Sequence, residues 1–189
     1  MRKIFQRALS LTVVLLLVTP AAADAASTST MQQHCIAQAQ PSGARATAKV
    51  QCFGTFAAAI KAATGSRVTL GNATTSRRVS STELSASPDS TTTTYVLSVD
   101  YHDANFSGST FTWTAAAPCG YYLTGSMPSG WNDVISSVAD YSGCATTLYH
   151  DSNFGGSTYR IGVNGSAASL GSFNDQASSQ KWCPVYPCV

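Results

Sequence analysis

The chain has 189 residues, enough for one or two small domains, and only 11% of them are charged, with a formal net charge of +2. From residue 26 onward 8 Lys+Arg balance 8 Asp+Glu, but unevenly: residues 26–93 carry six basic and two acidic residues (+4), residues 94–189 two basic and six acidic (−4). A half with a −4 balance argues against nucleic acid as a partner, because phosphate needs cations, and suits a cation instead; the alternative on count alone, and the stronger one, is that these charges merely solvate a surface.

The chain opens with Arg2, Lys3 and Arg7, an apolar run over residues 8–18, and the small-residue stretch Ala-Ala-Ala-Asp-Ala at 21–25. This is the pattern of a secretory signal peptide over residues 1–25, cut after Ala25 or after Ala23, and its apolar run is too short for a stable membrane span. The expected product is secreted, extracellular and free of the membrane. In an oxidising compartment the six cysteines read as three disulfides rather than metal thiolates. They fall in neighbouring pairs, and the expected pairing is local: Cys35–Cys52, Cys119–Cys144 and Cys183–Cys188. Residues 26–33 are polar and expected to fray.

Residues 44–53 (ARATAKVQCF) alternate as a strand, and 54–65 (GTFAAAIKAATG) place Phe56, Ile60 and Ala63 at helical spacing with Gly65 as a stop. Residues 66–71 (SRVTLG) read as a short strand. Residues 26–79 therefore predict a small disulfide-tied β-α-β segment. The Ser/Thr-rich stretch 80–94 reads as a linker. From Tyr95 the chain turns to short alternating segments punctuated by Gly, Asn and Ser, which predicts antiparallel strands throughout 95–189.

That half is an internal repeat. YHDANFSGSTF (101–111) matches YHDSNFGGSTY (149–159) at nine of eleven positions when Phe and Tyr are equated, 48 residues apart. Each copy is followed by Asn-Asp-x-x-Ser-Ser, at 132–137 and 174–179. The repeats run over about 95–144 and 145–189, and one unit alone cannot bury its apolar face, so two must pair into one core. Tyr101, Phe106, Tyr149 and Phe154 are expected to pack over their own hairpins. The hexapeptides offer only oxygen donors, which suits calcium and not zinc. One carboxylate in each loop points to roughly micromolar or weaker affinity.

The order Tyr-x4-Phe-x-Gly (Tyr101, Phe106, Gly108; Tyr149, Phe154, Gly156) and then (Asn/Asp)-(Asn/Asp)-x-x-(Ser/Thr)-Ser resembles the calcium-binding microbial βγ-crystallin domain. The whole layout is similar to secreted actinobacterial proteins that carry it. The resemblance covers residues 95–189 and implies a mostly β fold: two Greek-key motifs forming a β-sandwich, here preceded by the small N-terminal segment. It implies about two Ca2+ ions as cofactors, held by Asn132, Asp133, the Val134 carbonyl and Ser136 in one loop and by Asn174, Asp175, the Gln176 carbonyl and Ser178 in the other. Each serine reaches the ion held mainly by the opposite loop. The residue after the hairpin aromatic also contributes, largely through its carbonyl; here it is His102 or His150 where an acid is common, with Asp103 and Asp151 next door.

No nucleophile elbow, zinc-protease helix, phosphate-cradling loop or EF-hand pattern is present, so an enzyme is not expected. Besides a calcium-stabilised module, the sequence allows a protease inhibitor, because bacterial metalloproteinase inhibitors share the fold. The tail CPVYPCV would be its rigid loop, with Pro184 and Pro187 restricting the backbone inside a Cys183–Cys188 bridge. A killer-toxin-like or cell-wall-binding protein is the third possibility, if Trp113, Trp131 and Trp182 were exposed to stack on glycan. A monomer is expected.

Overall fold

A computed structural model describes residues 32–42, 49–85 and 94–188. The leader read over residues 1–25, most of the frayed 26–33, residues 44–48 of the first predicted strand and residues 86–93 of the linker lie outside them. The described residues fall within one compact unit. No helix among the described residues is long and apolar enough to cross a membrane.

Among the described residues eleven strands are arranged in two sheets: β1 (His34–Gln38), β2 (Gln40–Pro41), β3 (Gln51–Phe53), β4 (Tyr95–Asp103), β5 (Ser107–Ala115), β6 (Tyr122–Thr124), β7 (Ser137–Asp140), β8 (Ala145–Tyr149), β9 (Thr158–Ile161), β10 (Ser166–Ala167) and β11 (Ser179–Cys183). The sheet orders are β10-β7-β4-β5-β1-β3 and β2-β6-β11-β8-β9. The repeat explains both orders. In each unit the first two strands form a hairpin (β4–β5, β8–β9) and the fourth returns beside the first (β7 on β4, β11 on β8). The third strand crosses to the other unit's sheet (β6 on β11, β10 on β7). This is a pair of Greek keys that exchange one strand, so neither unit has a complete sheet alone.

The core between the sheets takes Leu97, Phe111, Trp113 and Val138 from one side and Leu148, Ile161 and Trp182 from the other, closed at the ends by Trp131, Leu170 and Phe173. Trp113, Trp131 and Trp182 are 1%, 7% and 0% exposed, so these indoles offer no stacking face to a glycan.

The N-terminal segment departs from the β-α-β expectation. It begins with β1, which lies parallel to β5 from His34↔Thr110 to Gln38↔Thr114 and antiparallel to β3. The helix is where the spacing puts it: α1 (Phe56–Ala63), with the Thr55 hydroxyl accepting from the Ala58 amide at its start. Residues 66–71 are not a strand. Ser66 has φ 67°, Arg67 Nε donates to the Thr64 carbonyl at 2.9 Å and the Val68 amide donates to the Thr64 hydroxyl at 3.2 Å, so this stretch caps α1 instead of pairing with a neighbour. Part of the presumed linker is also ordered, as α2 (Ser81–Ser85). The Ser80 hydroxyl accepts from the Glu83 amide at 3.1 Å, and Glu83 Oε2 accepts from the Ser80 amide at 2.8 Å, a capping box.

These pieces form a third layer. Phe56, Ile60, Ala63, Val68, Val79 and Leu84 cover the outer face of the first sheet at Val96, Val99, Tyr101, Ala139 and Tyr141. The three bridges have the expected local pairing, Cys35–Cys52, Cys119–Cys144 and Cys183–Cys188.

Candidate functional site

Each hairpin folds back on itself as its aromatics and glycine demand. Asn105 and Phe106 have φ 59° and 60°, Asn153 and Phe154 57° and 68°, in the left-handed region. The rings stack edge to face over the turn, Tyr101 on Phe106 and Tyr149 on Phe154, both at 5.5 Å. Glycine is required at 108 and 156: φ is 79° and 74°, and a Cβ would lie 2.5 Å from Asp103 Oδ2 or 2.9 Å from Asp151 Oδ2.

The two serines of each hexapeptide have different tasks. The second belongs to the hairpin. Ser137 Oγ donates to the Asp103 carbonyl at 2.7 Å and accepts from the Phe106 amide at 3.0 Å. Ser179 Oγ does the same for the Asp151 carbonyl (2.6 Å) and the Phe154 amide (3.0 Å). Nothing in the chemistry of calcium points to this pair; the signal for it is that both serines of the motif recur, and one ligand position needs only one.

The first serine crosses between loops. Ser136 Oγ donates to Asp175 Oδ1 at 3.1 Å and Ser178 Oγ to Asp133 Oδ1 at 3.1 Å. The backbone crosses the same way: the Asp133 amide donates to the Ala177 carbonyl and the Asp175 amide to the Ile135 carbonyl, both at 3.1 Å. The loops are tied to the hairpins as well, the Ser136 amide donating to the Tyr101 carbonyl and the Ser178 amide to the Tyr149 carbonyl, each at 2.9 Å. Asp133 and Asp175 adopt φ 56° and 55°, which aspartate tolerates better than most residues. Asn132 Nδ2 donates to Asp133 Oδ2 at 2.6 Å and Asn174 Nδ2 to Asp175 Oδ2 at 2.7 Å. Each carboxylate is thus held by its own asparagine on one oxygen and the opposite serine on the other. The asparagine amide nitrogens orient the carboxylates.

His102 and His150 stand beside these loops and are about half exposed. Each Nδ1 lies against the next carboxylate, 2.8 Å from Asp103 Oδ1 and 2.7 Å from Asp151 Oδ1. Asp103 and Asp151 therefore belong to the hairpins, wrapped around Gly108 and Gly156. Among the described residues no three His, Cys, Asp or Glu side chains converge as a metal cluster. A site here would rest on hydroxyl and carbonyl oxygens as much as on carboxylates.

The fold and both loops now permit comparison with known proteins. Residues 101–161 match the family described as Peptidase inhibitor family I36, a span that takes in both hairpins and the first loop and ends before the second loop. Similar solved structures include a βγ-crystallin domain from Flavobacterium johnsoniae, at 27% identity over 49% of this chain and 99% of that chain, with a TM-score of 0.36. A βγ-crystallin domain from Clostridium beijerinckii is similar at 21% identity, 47% and 99% coverage and a TM-score of 0.36. The N-terminal domain of Protein S is similar at 24% identity, 48% and 98% coverage and a TM-score of 0.38. The sandwich is similar to βγ-crystallin domains. No curated protein matches the sequence.

The βγ-crystallin-like sandwich has a second notable end. β11 starts beside Ser178 and finishes at Cys183, so the Cys183–Cys188 loop lies about 15 Å from the paired hexapeptides, at the far end of the strand. Its base is fixed: Cys183 and Cys188 are buried against Ala145, and the Thr147 hydroxyl donates to the Cys188 carbonyl at 2.6 Å. Its tip is not covered, with Val185 52% and Tyr186 59% exposed.

Proposed function

We propose that the chain is a calcium-binding βγ-crystallin-type module whose two hexapeptide loops hold two ions that stabilise the sandwich. The observation that carries this reading is the reciprocal crossing of Ser136 to Asp175 and Ser178 to Asp133, both at 3.1 Å. Two oxygens that each sit about 2.4 Å from one calcium ion, as neighbours in its shell, lie about 3 Å apart. Asp133 with Ser178, and Asp175 with Ser136, are therefore spaced to share an ion. The Val134 and Gln176 carbonyls and the backbone carbonyls at His102 and His150 are the further donors. The all-oxygen set suits a hard cation. When bound, the ion would supply an electrostatic clamp between loops from different repeats, and binding to the folded chain alone would raise stability by mass action.

Calorimetry on chelator-stripped protein tests this. Calcium should bind with a stoichiometry near two and raise the melting temperature, and Ser136→Arg with Ser178→Arg should abolish both effects while the stripped variant still melts cooperatively. A flat titration of the wild type sinks the reading.

A second reading is supported by the match to a peptidase inhibitor family and by the braced loop at the other end of β11. An inhibitor must present a fixed segment to an enzyme cleft at little entropic cost. Residues 184–187 meet that need, with exposed Val185 and Tyr186 between two prolines inside a disulfide. The target would be a secreted peptidase, and a thermolysin-type metallopeptidase is the first probe. Loss of inhibition in Tyr186→Ala with unchanged calcium binding would assign the activity to this loop. No inhibition at micromolar wild-type protein would end it. Both readings suit an extracellular protein, for which three disulfides are the expected chemistry.

A further inference from the structure

The interior of the sandwich is not wholly apolar. Ser98 and Asp100 of β4 and Asp140 of β7 meet Trp113 of β5, Thr146 of β8, and Gln180 and Trp182 of β11. Asp100 and Asp140 are 0% and 1% exposed. Their surroundings differ. Asp100 is well supplied: Trp113 Nε1 donates to Oδ2 at 2.9 Å, and Ser98 Oγ (3.1 Å) and Gln180 Nε2 (3.4 Å) donate to Oδ1. Asp140 is supplied by Thr146 alone, through the hydroxyl at 2.6 Å from Oδ1 and the backbone amide, and its buried Oδ2 has no partner.

Among the described residues no Lys, Arg or His is paired with Asp140. Asp140 meets Ser98 of β4 across the strand pair, Thr146 of β8 by hydrogen bond and the Gly165 carbonyl before β10 through its amide, and it interacts with the Asp100 carboxyl and the Tyr141 phenol. The ionisable groups among them are another carboxyl and a phenol, neither of which supplies a positive charge. An ionised Asp140 would be an unpaired charge inside a dry core, whereas the neutral acid leaves no charge to compensate. Burial foremost pushes Asp140 well above the ordinary carboxylate range; the Thr146 hydroxyl opposes this and Asp100 adds to the rise. Burial also pushes Asp100 up to about 7 against its three donors.

We propose that Asp140 is a proton-holding site built into the sandwich core, so that the fold is tightest in acid and loosens as the medium turns alkaline. Between the ordinary value of 3.8 and the raised folded value, the folded chain keeps a proton that the unfolded chain has lost. The stabilisation is complete below 3.8, declines as pH rises through that window, and is gone once both states are ionised. The proposal is independent of the calcium loops, since Asp140 touches neither of them.

Melting of chelator-treated protein between about pH 4 and about pH 8 tests it, comparing wild type with Asp140→Asn, which keeps the side-chain shape and cannot titrate. The wild-type melting temperature should fall with rising pH. The variant's slope should be shallower by one proton's worth, roughly 3–5 °C per pH unit for a chain of this size. The contribution from the buried His34 is common to both proteins and cancels; that from Asp100, which is coupled to Asp140, is removed by repeating the comparison in an Asp100→Asn background. Parallel profiles overturn the proposal. Should the variant fail to fold, infrared spectroscopy decides: a protonated-carboxyl stretch is expected at about pH 6, where ordinary carboxylates are ionised, and it should persist in Asp100→Asn, whose other buried carboxyl is gone; its absence there overturns the proposal.

Discussion

At the scale of single residues, the adjacent serines of each hexapeptide separate structure from ligand binding. Ser137 and Ser179 are fully buried and bond backbone groups of a left-handed turn. Ser137→Ala or Ser179→Ala should therefore cost about 1–3 kcal/mol each, with or without calcium, read as a shift in urea midpoint. Ser136→Ala removes one hydrogen bond to an exposed aspartate, and should cost only about 1 kcal/mol in stripped protein. Its larger effect should come in saturating calcium, where the wild type gains stability and the variant gains less. Equal costs for both neighbours in both conditions would show that the first serine has no ligand role.

At the scale of elements, the two hairpins and their strands were legible because the chain states them twice, each time with the aromatic, glycine and serine positions that a folded hairpin uses. The crossed geometry was legible only through a family resemblance; no spacing within one loop reveals that Ser136 faces Asp175. Two elements were missed for identifiable reasons. β1 is five residues long, and its parallel partner β5 begins about 70 residues later, so nothing local marks it. α2 was hidden by serine and threonine content, although Ser80 and Glu83 at the capping-box spacing, followed by Leu84, were its signal. Ser80→Ala should cost roughly 0.5–2 kcal/mol and should speed hydrogen exchange at residues 83–85 without touching β4 or β5. Glu83 is held at about 2, first by its hydrogen bond to Arg77 and then by the Ser80 amide. With the folded value below the ordinary 4.5, this support is present above 4.5 and is lost as pH falls towards 2. Because the pair is well exposed, the loss should be small and confined to α2 exchange rates.

At the scale of the molecule, the sequence reads as a repeat domain over 95–189 behind a small N-terminal segment and a linker, and the packing shows how that segment meets the sandwich. The outer face of the first sheet carries Val96, Val99, Tyr101, Ala139 and Tyr141, all buried beneath α1 and residues 68–84. Two of these are tied down by hydrogen bonds into that layer: Tyr101 donates its hydroxyl to the Arg77 carbonyl at 3.0 Å and Tyr141 to the Val79 carbonyl at 2.8 Å. Tyr101 is also half of the first hairpin's aromatic pair, so the N-terminal layer braces the same residue from which Ser136 takes its backbone support. A chain beginning at Thr94 keeps every strand of both Greek keys but exposes this apolar face and the β5 edge that β1 covers. Such an edge beside such a face invites association with other copies. The truncated chain should aggregate or elute as oligomers in size-exclusion chromatography, and any monomer should melt well below the full-length protein. Calcium should restore part of that loss, because the loops themselves survive the deletion. A monomeric truncation that melts with the full-length protein would mean that the layer is a passenger on the sandwich rather than part of its support.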